Sequence, residues 1–335
     1  MQSAVLSLLN LWLCRLVFLT ALCCSVAVQA QSASTATYPQ RPVKLIVPFS
    51  PGGLSDTLAR LLAQPLSVVL GQQVLVENRP GAGGIVATEL VAKSPADGYT
   101  LLLADPQHLA INPAMNARLS YNPVRDFAPV TLAAYGPLFL VAHPSVEADS
   151  LPALVRLAKS KPGQLNYGSA GSGSIHHLTM ESLKAGLGLD IVHVPYKGAA
   201  QAVPALVSGQ VALTISALPS LAPHVKAGKA KILAVSSAVR SPLAPEVPTI
   251  AELALPGFDF AGQIGIVAPA GTPREVIAKL NADIIAVLKQ PAFVARMAGL
   301  GIDTVGNSPE AFAAIIRTDI DKYARAVKVS GATAD

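Results

Sequence analysis

Two runs rich in glycine and serine carry the strongest chemical signal in this chain. They are Ser50-Pro51-Gly52-Gly53-Leu54-Ser55-Asp56 and Gly168-Ser169-Ala170-Gly171-Ser172-Gly173-Ser174. The first follows Val43-Lys44-Leu45-Ile46-Val47, an apolar run closed by Pro48 that suits a buried parallel strand. It precedes Leu58, Leu61, Leu62, Leu66 and Val69 at helical spacing, with Pro65 a candidate kink. Ser55 or Asp56 is the expected N-cap. A glycine turn feeding a helix start leaves backbone N–H groups without partners, and the helix dipole adds partial positive charge there. Gly52 and Gly53 lack Cβ, so nothing bulky blocks an approaching anion. An ordinary strand-to-helix turn has the same composition, so the loop alone leaves both readings open. The second run repeats the physics, and Ser169, Ser172 and Ser174 add hydroxyls. Two such loops, each in its own α/β domain, would open from the carboxyl ends of strands into one cleft and clamp a carboxylate.

Enzyme chemistry lacks its residues. No G-x-S-x-G surrounds Ser169 or Ser172. A G-x-G-x-x-G starting at Gly171 fails because His176 stands where the last glycine belongs, and Gly81-Ala82-Gly83-Gly84 runs on to Val86. No Walker lysine follows either loop. His176 and His177 are adjacent and do not share a helix face, which argues against a two-histidine metal site. His143, His193 and His224 read as structural, and Asp105, Asp126 and Asp190 pair with no nearby glutamate. No catalytic residue, cofactor or metal is expected.

The elements that would hold the loops alternate. Thr100 to Ala104 reads as a strand ending at Asp105-Pro106-Gln107-His108, and Leu138 to Val141 as another closed by His143-Pro144. Pro152 to Ala158 is helical behind Ser150. Gln164 to Ser169 is a strand entering the second loop, and a helix starts at Ser174. Asp190 to Val194 leads to Pro195-Tyr196-Lys197-Gly198. Val211 to Ser216 and Lys231 to Ser236 continue the pattern. Strands separated by helices argue for parallel sheets of the α/β class. Thr272-Pro273-Arg274-Glu275 reads as cap, first-turn proline and capping-box glutamate ahead of Val276, Leu280, Ile284 and Leu288. Ser308-Pro309-Glu310 opens a last helix carrying Phe312, Ile315, Ile316, Ile320, Tyr323 and Val327.

Met1 to Ala30 is almost wholly apolar, with Arg15 its only charge and Leu16 to Val28 of h-region length. Val28-Gln29-Ala30 offers small residues ahead of a cleavage point, with Gln31 the expected mature start. The run Leu6 to Leu13 keeps an uncleaved membrane anchor open. Cys14, Cys23 and Cys24 all lie in this leader, so a mature chain would hold no disulfide and no thiol site. The remaining chain of about 300 residues suffices for two domains. Charged residues are only 13%, and loss of Arg15 takes the formal charge from +5 to +4. No lysine or arginine run occurs, which argues against nucleic-acid binding; the mild excess suits an anionic small ligand.

Longer blocks carry a resemblance. YPQRPVKLIVPFSPGGLSDTLARLLA, VENRPGAGG, DGYTLLLA, INPAMNARLSYNPVRDFAPVTL, KPGQLNYGSAGSGSIHHL, DIVHVPYKGAAQAVPALVSGQV, PLAPEVPTIAELALPGFDF and IVAPAGTP occur in order. From Tyr38 onward the chain resembles the Bug family, extracytoplasmic substrate-binding proteins associated with tripartite tricarboxylate transporters. The resemblance implies a two-domain, type II-like periplasmic-binding-protein fold with the ligand cleft between the lobes. Residues 1–30 would be a signal peptide, 31–140 with 262–335 a discontinuous first domain, and 141–261 the second. It implies a periplasmic, monomeric binder of a small organic carboxylate, serving membrane transporter subunits or, alternatively, a sensor protein. By position, Ser50, Pro51, Gly52, Gly53, Ser55 and Asp56 match the first-domain loop, and Ser169, Gly171, Ser172, Gly173 and Ser174 the second. Arg79 to Gly84, including Gly83, and Asp105, Gln107 and His108 would line the first side. Tyr196, Lys197 and Gly198 would lie near the second wall. Relatives often carry an acid where this chain has Thr214-Ile215-Ser216-Ala217, and a small residue where it has His176, so Ser216 and His176 bear on ligand identity. Asp56 reads as either a helix cap or a ligand contact, and Lys197 as either a carboxylate partner or a solvated lysine.

The leader generates a first prediction. Intact-mass measurement of protein from the periplasmic fraction should give a chain starting near Gln31. Recovery of Met1 to Ala30 in the membrane fraction would contradict it.

Overall fold

A computed structural model describes residues 38–333. The chain divides into Met1–Gln40 and Arg41–Asp335. The expected signal peptide lies outside the described residues. In the first unit the Tyr38–Pro39 peptide is cis. Everything below concerns the second.

Parallel pairing follows the strand–helix alternation. β1 (Val43–Val47) pairs in parallel with β2 (Val74–Asn78) and β3 (Thr100–Ala104). β5 (Asn166–Ser169) pairs in parallel with β6 (Val192–Pro195) and β7 (Leu213–Ala217). The two parallel sets are joined by antiparallel strands, which corrects the expectation of purely parallel sheets. β4 (Phe127–Ala142) is antiparallel to β7, to β8 (Lys231–Val235), to β9 (Ala261–Pro269) and to β10 (Asp303–Thr304). β9 is also antiparallel to β3. The sheet order is β2-β1-β3-β9-β4-β7-β5-β6, with β8 and β10 attached to β4.

β4 is sixteen residues long, and only Leu138 to Val141 of it were legible. It contains Pro129, Gly136 and Pro137, residues that weaken a strand. Pro129 sits at a register shift with β9, between Pro129 and Thr131, and a second shift falls between Leu132 and Ala134. Phe127 to Pro137 pair with β9, whereas Leu138 to Ala142 pair with β7. The strand therefore changes partners at Pro137 and Leu138 without ending. Leu138, Leu140 and Ala142 point into one apolar cluster, Phe139 and Val141 into another. Burial on both faces explains why this stretch is uninterrupted in apolar character.

Local caps form as the sequence predicts at Ser150, Ser174 and Ser308, whose side chains accept N–H groups of Ala153, His177 and Ala311. Thr272 does not cap. Its hydroxyl donates to the Pro269 carbonyl at 2.7 Å, and the following helix, Arg274–Leu288, starts behind Pro273. Pro65 stays inside the unbroken helix Leu54–Leu70, and Val69 of that helix is exposed rather than packed.

The last helix, Pro309–Ser330, bridges two cores. Phe312 and Ile316 belong to the cluster built on Ile46, Leu102, Leu132 and Val267. Tyr323, Ala326 and Val327 belong to the cluster built on Leu140, Tyr167, Leu178 and Ile215. The helix reaches the sheet at Gly265 of β9, where a Cβ would stand 2.1 Å from the Phe312 ring tip. Gly265→Val should therefore lower unfolding stability by about 1–3 kcal/mol through overpacking. Adding Phe312→Leu should return part of that loss. Urea unfolding midpoints of the single and double variants check both expectations.

Candidate functional site

The helix Leu54–Leu70 begins at Gly53, which has extended backbone and offers no side-chain cap. The expected caps, Ser55 and Asp56, lie inside the first turn. Asp56 is buried there. It accepts the Gly52 N–H at 2.9 Å and the Asn78 amide at 2.9 Å, with the Arg60 guanidinium at 3.0 Å. Arg60 above all, then the Gly52 and Asn78 donors, hold its carboxyl below the usual range against the opposing push of burial. Asp56 thus locks the turn from behind and takes one N–H that the sequence offered to a ligand. The N–H groups of Gly53, Leu54, Ser55 and Asp56 have no partner among the described residues. Gly52, at φ +88°, is the residue of this turn that must be glycine.

A cavity of about 440 Å³ opens beside the turn. Gly52 to Ser55, Thr57 and Asp105 line one side. Gly136 and Leu138 of β4 and Gly262 and Ile264 of β9 line it where β4 changes partners. The other side is built from starts of helices. Ile175 and His176 open Ile175–Leu187, Ala199 opens Ala199–Val207, and Ala217, Pro219 and Ser220 surround the start of Leu218–Lys226. Leu300, Gly301 and Ile302 complete it from the turn before β10. Four helix N-termini, each following a parallel strand, converge on one space. Each brings partial positive charge and N–H donors. A second groove, of about 530 Å³, runs along Pro309–Ser330 past Phe258, Lys322 and Arg325 and shares no residue with those helix starts.

Of the residues singled out from sequence, Gly52, Gly53, Ser55, Asp105, His176 and Ser216 line the cavity. Ser50 and Pro51 are exposed and do not. Gly83 turns its carbonyl to the Asn112 amide, and Gln107 donates to Asn112 Oδ1 at 2.8 Å, so neither faces the space. His108 is fully buried, with Nδ1 2.8 Å from Asp105 Oδ1.

The second loop is knit to itself. Ser169 and Ser174 hydroxyls both donate to the Gly171 carbonyl, and the Gly171 N–H donates back to Ser169 Oγ. Ser172 is exposed, and Gly173, at φ +73°, packs against Met115. None of Ser169, Gly171, Ser172, Gly173 or Ser174 lines the cavity; the loop reaches it only through the helix start at Ile175 and His176. Tyr196 packs its ring beside Gly168, and Lys197 is exposed, its backbone N–H on Gln201. Ser216 Oγ lies 3.0 Å from Ser220 Oγ, which donates to the Ala217 carbonyl. The sequence missed Leu54, Ala199 and the Leu300–Ile302 turn, because no local signal tells which apolar or small residue borders a distant loop.

Behind the second loop sits a stack of rings. His177 lies over His193 at 4.1 Å and His193 over Tyr167 at 4.9 Å. His193 Nε2 is 2.6 Å from Ser169 Oγ, and His177 Nδ1 accepts the Gly173 N–H at 3.1 Å. Ser169 is buried, so this serine–histidine contact fixes the loop rather than exposing a nucleophile. Burial, with the neighbouring His177, pushes His193 down to about 4, and burial also lowers His177. His176 is held down to about 4 by burial, and its Nδ1 has no partner among the described residues. Among the described residues no group of His, Cys, Asp and Glu is placed to hold a metal, and no helix is long and apolar enough to cross a membrane.

Residues 58–331 match the family model described as "Tripartite tricarboxylate transporter family receptor". Protein BugT of Bordetella pertussis is 39% identical over 304 residues, covering 90% of this chain and 93% of its own. An R. palustris protein solved with adipate superposes at a TM-score of 0.75 with 37% identity, covering 88% of this chain and 99% of its own. MatC from Rhodopseudomonas palustris with bound malate gives 0.72 and 33%, covering 87% and 100%.

The lowered histidines set a pH dependence with a definite sign. Unfolded histidines titrate near 6.5, whereas His176 and His193 in the fold titrate at about 4. Between those values the unfolded chain binds more protons, so stability is full above the upper value and falls as pH drops toward the lower one. Thermal midpoints should decline from about pH 6.5 to about pH 5, above most carboxylate titrations. His193→Asn should flatten that decline. A midpoint independent of pH over this range would contradict the assignment.

Proposed function

The chain belongs to the tripartite tricarboxylate transporter receptor family, a family of extracytoplasmic receptors and not of enzymes, and from that premise we propose that it captures a small organic carboxylate in this cavity and delivers it to transporter subunits in the membrane. The observation carrying the reading is the convergence of four helix starts on one cavity, with unpartnered N–H groups on Gly53, Leu54 and Ser55. Among the described residues lining it there is no lysine or arginine, so the backbone must supply the positive potential. The adipate and malate on relatives sharing the fold favour the same ligand class. Residues 31–140 with 262–335 form one lobe and 141–261 the other in this reading, and the protein works as a monomer. Closure about β4 would bring the Leu54 helix start toward those of Ile175, Ala199 and Leu218.

Gly53→Val tests the site. Gly53 has φ −78°, and a Cβ there meets no atom nearer than the Ser50 carbonyl at 3.9 Å, so the variant should fold. Its methyl groups would cover the free N–H groups. Calorimetric titration with adipate, malate and a panel of monocarboxylates should show the bound acid weakened about ten- to hundredfold for each lost charge-assisted hydrogen bond. Wild-type affinity in this variant would remove the ligand from the turn.

A further inference from the structure

We propose that Asp105 is the residue that selects the ligand. It fits the cavity to an acid with one carboxylate, an apolar body and a hydrogen-bond-donating hydroxyl or ammonium group, and turns away dicarboxylates. The inference rests on the carboxylate-binding reading above and deepens it.

Asp105 follows directly on β3, the parallel neighbour of β1, and β1 leads into the turn that exposes the free N–H groups. The carboxylate and the anion-holding turn therefore stand at neighbouring strand ends, about 5 Å apart at the strands. Asp105 is held rigidly. Its Oδ1 accepts the Gln107 N–H at 2.8 Å and faces His108 Nδ1 at 2.8 Å. His108 Nδ1 lies 2.8 Å from Asp105 Oδ1 and 3.3 Å from the Asp105 backbone nitrogen; the shorter contact to an acceptor requires the proton on Nδ1, which leaves the buried, partnerless Nε2 as a bare lone pair. Asp105 Oδ2 accepts no hydrogen bond from any described residue, the side chain is 22% exposed, and Asp105 lines both this cavity and a smaller one beside Gln263, Phe312 and Asp319. A fixed acceptor thus stands free beside a site whose other signals favour anions.

No cationic side chain among the described lining residues offsets it. Among the described lining residues the only other titratable side chain is His176, and burial keeps His176 neutral. A second carboxylate on the ligand would meet Asp105 as a like charge or lie against Leu138, Ile264, Leu300 and Ile302. With the converging helix starts engaged on the first carboxylate, neither placement gives it a donor, and like-charge juxtaposition is strongly unfavourable where water is scarce. A hydroxyl or ammonium near the ligand's carboxylate would instead give Oδ2 its missing partner. The apolar side chains would receive the remainder of the molecule.

The test uses matched probes that share a benzyl group: 3-phenylpropanoate, 3-phenyllactate, phenylalanine and benzylsuccinate, with adipate and malate alongside. Titration calorimetry is run on the wild type and on Asp105→Asn. Asparagine keeps an oxygen for the Gln107 N–H while placing an NH₂ where the free oxygen was, so the position changes from acceptor to donor. The wild type should bind 3-phenyllactate or phenylalanine about ten- to hundredfold tighter than 3-phenylpropanoate and benzylsuccinate. Which of the two binds tells hydroxyl from ammonium. Asp105→Asn should lose that preference and gain about tenfold for benzylsuccinate. If adipate, malate or benzylsuccinate binds the wild type as tightly as 3-phenyllactate or phenylalanine, or if Asp105→Asn leaves the ranking unchanged, the selector role is wrong while carboxylate capture stands. If no probe binds either protein, both readings fall.

Discussion

The change of partners along β4 is the constraint on which the other features depend. Its backbone ladder passes from β9 to β7 across Pro137 and Leu138, so two sets of parallel strands are held in one fixed register. In each set the helices follow the carboxyl ends of the strands, and β4 decides that those ends look toward a common space. A one-residue slip would exchange the faces of Leu138, Phe139 and Leu140 and empty both clusters they fill. Gly136 and Gly262 face each other at this place. Their missing side chains leave the centre of the cavity open and the strand free to bend there.

The electrostatics of the site come from backbone rather than from cationic side chains. That makes the positions of carboxylates decisive. Asp56 and Asp105 both sit at turns that follow parallel strands, β1 and β3, yet they act differently. Asp56 is behind its turn, tied to Gly52, Asn78 and Arg60, so its charge is screened from the cavity by the donors it holds. Asp105 has one oxygen tied and one free. The same residue type is tied on both oxygens in the first case and on one in the second, where it borders the cavity, and the count of donors around each distinguishes them.

Much of this was written locally in the sequence. Ser150, Ser174 and Ser308 cap where side-chain oxygen and helix start lie three residues apart. β1 and β3 are legible as apolar runs because both faces are buried. What was not legible depends on distant segments. β9 carries Gly262 and Gly265, and its strand character comes from β3 and β4 on either side. The hydroxyls of Ser169 and Ser174 looked available as ligand donors, but folding of their own loop takes both. Gly52, Gly53 and Ser55 were legible as cavity residues because turn and helix are contiguous. Ala199 and Leu300 were not, since their place beside that turn is set by the sheet order alone.

The last helix has a consequence for the order in which the chain can fold. Tyr323, Ala326 and Val327 complete an apolar cluster whose other members begin near Ala110, about two hundred residues earlier. That cluster stays open until the C-terminal turns have been synthesised. The middle segment keeps an uncovered apolar patch until that helix docks, and contacts of such long sequence separation form late and slowly. A polypeptide whose core is completed by so late a contact is slower to become compact, and an uncompacted chain is what a translocation channel requires of its cargo.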